Sequence, residues 1–296
     1  MSDTPETLRG KIAGAGDLQT VVRTMKALAA SNIGQCEAAV RSLSHYHEAV
    51  ELGLHACLRD MRSGDGETSR STRSPTTTTR AIVFGSDQGL VGQFNEVVAD
   101  LSIRTLAALP GAHEVWAVGE RVKEHLVEAR LAPVGVFPVP NSVQAITGLV
   151  GRLLLDGGET THAWRRSSLW VFNNRPVAGA SYEPVSQRLL PLDFAWRERL
   201  TRITWPTRNL PEVWGGALAT LRSFVREYLF ISLFRACAES MASENASRLA
   251  AMQRAEKNID DLLEQLQGQY HQLRQDGIDE ELFDVIAGYE ALLAPG

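Results

Sequence analysis

The sequence has few of the features that secreted, membrane-spanning or nucleic-acid-binding proteins require. It contains three cysteines and no Cys-X-X-Cys pair, so reduced thiols in a cytosolic compartment are expected rather than a disulfide framework. The stretch Met1–Gly10 is polar, and no secretory signal is expected there. The strongest apolar run, Leu229–Phe234, is too short to span a bilayer, so membrane association is predicted to go through another protein. The net charge of −5 gives no electrostatic reason to expect nucleic-acid binding.

A catalytic constellation is also missing from the sequence. We find no serine or cysteine nucleophile beside a base in a known motif, and no cluster with the spacing of metal ligands. The loop Gly85–Gly92 follows a short apolar run, where a phosphate-binding loop would lie. Its spacing matches neither Gly-X-Gly-X-X-Gly nor the P-loop, and no lysine follows it. A turn and packing role is therefore favoured over nucleotide binding, and no catalytic, cofactor-binding or metal-binding residue is predicted.

Proline is absent between Pro211 and Pro295, and this absence permits one long helix. Apolar residues recur there at steps of three or four, which predicts one apolar stripe along the helix. The stripe consists of Leu249, Met252, Ala255, Ile259, Leu262, Leu266, Tyr270 and Leu273. At about 1.5 Å per residue such a helix would reach roughly 120 Å, so its stripe needs a partner.

A second long helix is predicted at the start of the chain. Thr4 can cap it, Pro5 suits the first helical position, and Glu6 favours the positive end of the helix dipole. Its stripe consists of Leu8, Ile12, Ala15, Leu18, Val22, Met25, Ala29, Ile33, Cys36, Val40, Leu43, His47, Val50, Leu54 and Leu58. Two such helices can pair as an antiparallel coiled coil, and small residues would let their axes approach closely. The small residues are Ala15, Ala29, Ala30, Ala236, Ala242, Ala246 and Ala250.

Between the helices, short apolar runs alternate with helical stretches, a pattern typical of βαβ units and a parallel sheet. The runs are 81–84, 115–118, 134–137, 169–172 and 185–190, and the last two are expected to form an antiparallel addition. The predicted fold class is α/β: two long terminal helices form an antiparallel coiled coil, with an inserted Rossmann-like α/β domain. The predicted bounds are 1–60 for the N-terminal helix, 61–80 for a flexible linker, 81–208 for the α/β domain and 209–296 for the C-terminal helix.

The stretch Arg235–Met252 resembles the C-terminal signature of the γ subunit of F-type ATP synthases. Further matching positions in the C-terminal helix are Ala255, Asn258, Tyr270, Arg274, Gln275, Ile278, Glu281, Leu282 and 286–288. The first helix of the family is similar at Leu8, Arg9, Lys11, Ile12, Met25, Lys26, Ala29 and Ala30. The stretch Ser86–Asn95 is similar to the family's loop after the first strand.

The resemblance implies a central rotor shaft, which couples ion-driven rotation of the membrane c ring to ATP synthesis or hydrolysis at the β subunits. It implies hydrogen ion transport by the complex, and a non-catalytic subunit without a cofactor. The implied partners are the α, β and ε subunits and the c ring, at the cytoplasmic face of the bacterial plasma membrane. By motif position, the candidate contacts with β are Met25, Lys26, Arg248, Gln275 and Glu281. Two of these have alternative roles: Met25 can belong to the helix pair, and Arg248 can pair with Glu244.

Some positions depart from the family pattern, among them Asn32, Val91 and the stretch 276–279. These departures lead to the hypothesis of a divergent branch, such as an alternate bacterial F-type enzyme. Two other functions stay open from the residues alone. One is a coiled-coil adaptor protein, and the other is a nucleotide-binding α/β enzyme with helical extensions.

Overall fold

A computed structural model describes residues 4–64, 78–156, 167–177, 181–192, 194–209, 211–213 and 216–293. Its elements, in chain order, are α1 (Pro5–Gly64), β1 (Thr78–Phe84), α2 (Phe94–Ala107), β2 (Ala112–Val118), α3 (Glu120–Glu128), β3 (Gly135–Phe137), α4 (Val143–Asp156), β4 (Ser167–Val177), β5 (Ser181–Leu190), α5 (Phe194–Thr201) and α6 (Ala217–Leu293). α1 extends beyond the predicted boundary at 60, and β1 begins before Ala81. The rest of the predicted linker, 65–77, lies outside the described residues.

α1 begins at the predicted capping signal. The Thr7 backbone N–H donates to Thr4 Oγ1 at 3.3 Å, and the Thr4 N–H donates to Thr7 Oγ1 at 2.8 Å. Each threonine therefore satisfies a backbone donor that has no partner inside the helix. Pro5 follows at the first helical position, where no N–H is required.

The first of two compact units pairs the start of α1 with the end of α6. It comprises the described residues 4–28 and 249–293. Arg9 Nε donates to Tyr270 Oη at 2.8 Å, and Arg23 Nε donates to Glu256 Oε1 at 3.0 Å. Because positions 9 and 23 meet positions 270 and 256, the two helices run antiparallel, and the predicted pairing is confirmed.

The predicted stripes are wrong at Leu18, which is 59% exposed, and at Leu262, which is 45% exposed. The buried residues of α1 in this unit recur at seven-residue steps: Leu8, Ala15 and Val22. A seven-residue repeat is that of two supercoiled helices, and it differs from the 3.6-residue period of a straight helix. The half-buried positions are consequently Gln19 and Leu263, each one residue beyond the predicted one. In the second unit Ala30, predicted among the small residues between the helices, is also exposed.

The second unit, whose described residues lie within 29–248, contains a five-stranded sheet in the order β3-β2-β1-β4-β5. β1 pairs in parallel with β2 and with β4, and β2 pairs in parallel with β3. β5 is antiparallel to β4 and lies at the edge. This arrangement confirms the Rossmann-like sheet with its antiparallel addition. β4 and β5 are both longer than the apolar runs that predicted them.

Both faces of the sheet are covered by helices, as the side chains of β1 show. Ala81 and Val83 belong to one apolar cluster with residues of α2 and α3. Ile82 and Phe84 belong to another cluster with residues of α1, α4 and α6. Since successive side chains of a strand point to opposite faces, α2 and α3 cover one face, and α1, α4 and α6 cover the opposite one.

One stretch of α6 in this unit is enclosed on all sides, because every residue from Ala236 to Ala246 is buried. Its small residues allow neighbouring backbones to approach closely. The same stretch also contains polar residues: Glu239, Ser240, Ser243, Glu244 and Asn245. Polar groups removed from water must find partners inside the protein, so this stretch requires a hydrogen-bond network around it.

Replacing Gly85 by alanine is predicted to destabilise the second unit by about 1–3 kcal/mol through overpacking. A Cβ atom at this position would lie 2.3 Å from Val122 Cβ and 2.7 Å from Asn95 Oδ1. Gly148→Ala is the matched control, because a Cβ at that helical position would meet no atom within 4 Å. The control should stabilise the protein by about 0.5–1 kcal/mol, since alanine favours helix over glycine. Urea unfolding of both variants checks this, and equal effects would contradict the close packing at Gly85.

Candidate functional site

Two segments of the second unit, the loop after β1 and α6 residues 235–248, meet where α6 packs on the sheet. Ser247 Oγ donates to the Val91 carbonyl at 2.5 Å, which joins α6 to the loop after β1. Asn174 Nδ2 donates to the Phe94 carbonyl at 2.8 Å, and the Asn174 carbonyl accepts from Ser243 Oγ at 3.1 Å. β4 therefore links the same two segments. We call this contact region, formed by α6 residues 235–248, β4 and the loop after β1, the junction.

At the centre of the junction, Glu239 binds β4 to α6. Its buried carboxylate accepts from Arg235 Nε at 2.7 Å and from Arg175 Nε at 3.2 Å. Asn173 Nδ2 adds a longer contact of 3.4 Å. Two guanidinium groups thus neutralise one buried carboxylate, and each charge-assisted hydrogen bond is stronger than a neutral one. This network fixes both the rotation and the height of α6 against the strand.

A second buried ion pair, within α6, lies at the end of the junction. Arg248 Nη2 donates to Glu244 Oε1 at 2.7 Å, and the two side chains are only 13% and 9% exposed. Burial raises the pKa of Glu244 above its usual range, while the Arg248 charge acts in the opposite direction and the nearby Asp87 carboxylate raises it further. The alternative role of Arg248 given above, pairing with Glu244, is therefore the one observed within this chain.

Three buried polar atoms of the junction have no hydrogen-bond partner among the described residues: Asn174 Oδ1, Ser240 Oγ and Arg248 Nε. An unsatisfied buried donor or acceptor costs about 1–3 kcal/mol. The buried pairs described above must therefore outweigh this cost.

The loop after β1 is closed by its own side chains and does not form a phosphate cradle. Asp87 accepts from the Glu120 backbone N–H at 3.1 Å and from the Val139 N–H at 2.8 Å. The Ser86 N–H donates to Asn95 Oδ1 at 2.8 Å. The start of α3, where an anion would otherwise bind, is thus already occupied by a carboxylate of the chain. This supports the packing role that the glycine spacing favours.

The five candidate β-contact residues differ in what they touch. Lys26 forms an ion pair with Glu256, whose pKa is lowered by hydrogen bonds from Lys26 and Arg23. Met25 is half buried on α1. Gln275 and Glu281 are exposed on α6, and Arg248 lies in the buried pair already described.

Sequence reasoning missed the polar residues of β4, which it placed in a loop. Asn173, Asn174 and Arg175 continue the strand beyond the apolar run, and the two asparagines are buried. Two amides directly after a buried strand need partners if the strand continues, but those partners, Glu239 and Phe94, are distant in sequence. Among the described residues there is no group of three potential metal-ligating side chains, and no helix apolar enough to cross a membrane.

Comparisons with known proteins agree along nearly the whole chain. A family model described as ATP synthase matches residues 4–292. The ATP synthase gamma chain of Dinoroseobacter shibae is 26% identical, over 96% of this chain and 98% of that protein. The gamma chain of Syntrophus aciditrophicus is 24% identical, over 96% and 97%. The rotor of the Euglena gracilis mitochondrial ATP synthase has a similar fold, with a TM-score of 0.60 and 14% identity over 93% of this chain and 98% of that one. The central stalk and c ring structure from Tetrahymena thermophila gives a TM-score of 0.55 and 22% identity over 79% and 99%.

Replacing Arg248 by alanine is predicted to lower the free energy of unfolding by about 3 kcal/mol, because it leaves the buried Glu244 carboxylate without a countercharge. The control is Arg41→Ala, since Arg41 pairs with Glu37 at the same helical spacing but with side chains 71% and 49% exposed. That control should cost less than about 0.5 kcal/mol.

The double variant Arg248→Ala/Glu244→Ala should recover part of the loss, because no buried charge then remains unpaired. Chemical denaturation of the three variants and the parent measures these differences. If Arg248→Ala proved no more costly than Arg41→Ala, the pair would not contribute to the stability of the junction.

Proposed function

The chain belongs to the ATP synthase family, as a gamma chain, and from this premise we propose that it is the central rotor shaft of an F-type ATP synthase. The observation that carries the proposal is the antiparallel pairing of α1 with α6, together with the junction that fixes α6 to the sheet. A shaft must resist twisting, and two helices wound around each other do so better than one.

In this proposal, ion flow turns the c ring, and the α/β domain turns with it. The junction passes the torque to α6, because the Glu239 network and the Ser247 contact prevent the helix from rotating or sliding against the sheet. The helix pair presents a different side to each β subunit in turn, and drives binding, synthesis and release of ATP. Its partners are the α and β subunits around the helix pair, and the ε subunit and c ring at the α/β domain.

We further propose that the chain is a non-catalytic subunit, and that the nucleotide chemistry belongs to β and α. Asp87 and Asn95 bind the backbone donors that a phosphate group would use in a nucleotide-binding α/β domain. A phosphate would have to displace a carboxylate that already receives two backbone hydrogen bonds. This arrangement favours the shaft over a nucleotide-binding enzyme.

The contact residues toward β remain a proposal, and the structure orders the candidates by accessibility. Gln275 and Glu281 are exposed, so both can form polar contacts with a neighbouring subunit at no cost to the helix pair. Lys26 and Arg248 contribute to the chain's own ion pairs, and a contact with β would have to share their charge. Met25 is half buried and can offer only part of its side chain.

We propose a peripheral location on the cytoplasmic face of a bacterial plasma membrane. The described residues include no membrane-spanning helix, so attachment would go through the c ring and the ε subunit. The relatives named above include bacterial gamma chains, which supports the bacterial setting.

The isolated chain is expected to hydrolyse no ATP. The complex, in contrast, should need the chain to couple ATP hydrolysis to ion transport. The test compares membrane-bound complexes assembled with and without the chain, measuring ATPase activity and ATP-driven proton uptake together. Loss of proton uptake in its absence is the expected result. Unchanged coupling without the chain would overturn the rotor function.

The double variant Gln275→Ala/Glu281→Ala is expected to lower coupled ATP synthesis several-fold while leaving the melting temperature unchanged. The physical reason is that both side chains are exposed and available to a partner subunit. Gln269→Ala is the control, because Gln269 is also exposed on α6 but is not among the candidate contact residues. Equal losses from the double variant and the control would contradict specific contacts at these positions.

A further inference from the structure

Within the first unit, the last part of α6 extends beyond the start of α1. Three side-chain contacts join the two helices in one constant antiparallel register: Arg9–Tyr270, Gln19–Asp260 and Arg23–Glu256. This register places Pro5, the first residue of α1, opposite Arg274. In agreement with it, every residue from 274 to 287 is exposed. We call residues 276–286 of this exposed stretch the α6 tip.

The α6 tip is amphipathic, although all of it is exposed. Four apolar side chains, 44–70% exposed, have the spacing that places them on one side of a helix: Ile278, Leu282, Val285 and Ile286. Carboxylates recur at steps of four on another side: Asp276, Glu280 and Asp284. A contiguous exposed apolar patch marks a site of protein interaction. A partner that contacts both sides of the α6 tip must surround the helix.

The charges of the α6 tip have one sign. It contains no lysine, arginine or histidine, and it carries five carboxylates: Asp276, Asp279, Glu280, Glu281 and Asp284. Their charge of −5 equals the net charge of the whole sequence, so the rest of the chain is neutral in sum. Among the described residues, no ion pair or side-chain hydrogen bond engages any of the five. Carboxylates four residues apart on a helix repel each other, so positive charge from a partner would stabilise the α6 tip.

The candidate contacts with β indicate which partner covers this surface. Gln275 lies directly before the α6 tip and Glu281 lies within it, and both are exposed. In the function proposed above, a ring of α and β subunits surrounds the helix pair, so it can contact the apolar and the acidic side of the α6 tip together. A flat surface would cover the apolar side and leave the carboxylates in solvent.

We propose that the ring of α and β subunits presents lysine or arginine side chains to the α6 tip, and that this charge pairing makes the chain specific for its own ring. The pairing rests on the rotor function proposed above and adds the chemistry of the partner surface to it. Because the ring repeats its subunits around the shaft, the same cations recur at each rotational position and do not hold the rotor at one of them. A ring with carboxylates at these positions would repel the α6 tip.

The test lets two full-length chains compete for a limiting amount of the α and β subunits of the same enzyme. The neutral variant Asp276→Asn/Glu280→Gln/Asp284→Asn is mixed in equal amount with the parent, and mass spectrometry of the assembled complex measures the ratio of the two chains. At about 0.01 M salt the parent should be preferred at least about fivefold. The preference should fall at about 0.15 M salt, because the Debye length shortens from about 30 Å to about 8 Å. The variant with lysine at the same three positions should be excluded more strongly than the neutral variant, because like charges then face each other.

The control Asp17→Asn/Asp261→Asn/Glu264→Gln removes three exposed carboxylates of the helix pair outside the α6 tip, and it should be incorporated within about twofold of the parent. Circular dichroism of each variant checks that the helices are retained. The charge pairing is overturned if the neutral variant or the lysine variant assembles as well as the parent, or if the control loses as much as the neutral variant. Failure of the rotor function gives a different result, because the parent itself would then not assemble with the ring, and the charge pairing would fail with it.

Discussion

The structure depends on enclosing a polar stretch of helix without leaving its charges unpaired. Between Ala236 and Ala246, α6 is buried on every side, yet it carries two carboxylates there. Small residues on this stretch let neighbouring backbones come close, which removes water and increases the cost of any unpaired charge. Glu239 is therefore held by Arg175 and Arg235, and Glu244 by Arg248. Close packing and charge pairing must both be satisfied at once, and together they determine the position of α6 on the sheet.

The paired helices of the first unit follow a different balance. Arg23 and Lys26 bind Glu256 where the side chains are 18–58% exposed, so solvent and salt screen these charges. Such pairs contribute little stability, but they define which residues face each other in an antiparallel coil. Alanine at buried positions adds little apolar area as well. These exposed ion pairs thus determine which residues of the two helices face each other more than they stabilise the coiled coil. The buried ion pairs of the junction do both.

Local periodicity predicts most of this fold, and its failures have physical causes. The alternation of strands and helices identified the sheet, because each strand contains a short apolar run, although β4 and β5 extend beyond theirs. The predicted burial of Leu18 was wrong because supercoiling changes the helical repeat to seven residues in two turns. Gln19 is half buried in its place. The prediction that Asn173 and Asn174 lie in a loop was wrong for another reason. Their partners are distant in sequence, and a buried amide cannot be told from a loop residue until its partner is known.

In open α/β sheets, ligands usually bind at the carboxyl ends of the strands. This chain uses that edge to hold its own helix. The loop after β1 gives its Val91 carbonyl to Ser247, and the end of β4 gives Asn174 to both α6 and the start of α2. Asp87 accepts from the Glu120 backbone N–H at the start of α3, and Asn95 accepts from the Ser86 N–H of the loop. The end of the sheet where a nucleotide would bind in an enzyme of this fold here holds α6, and a firmly held helix is what a subunit that transmits rotation requires.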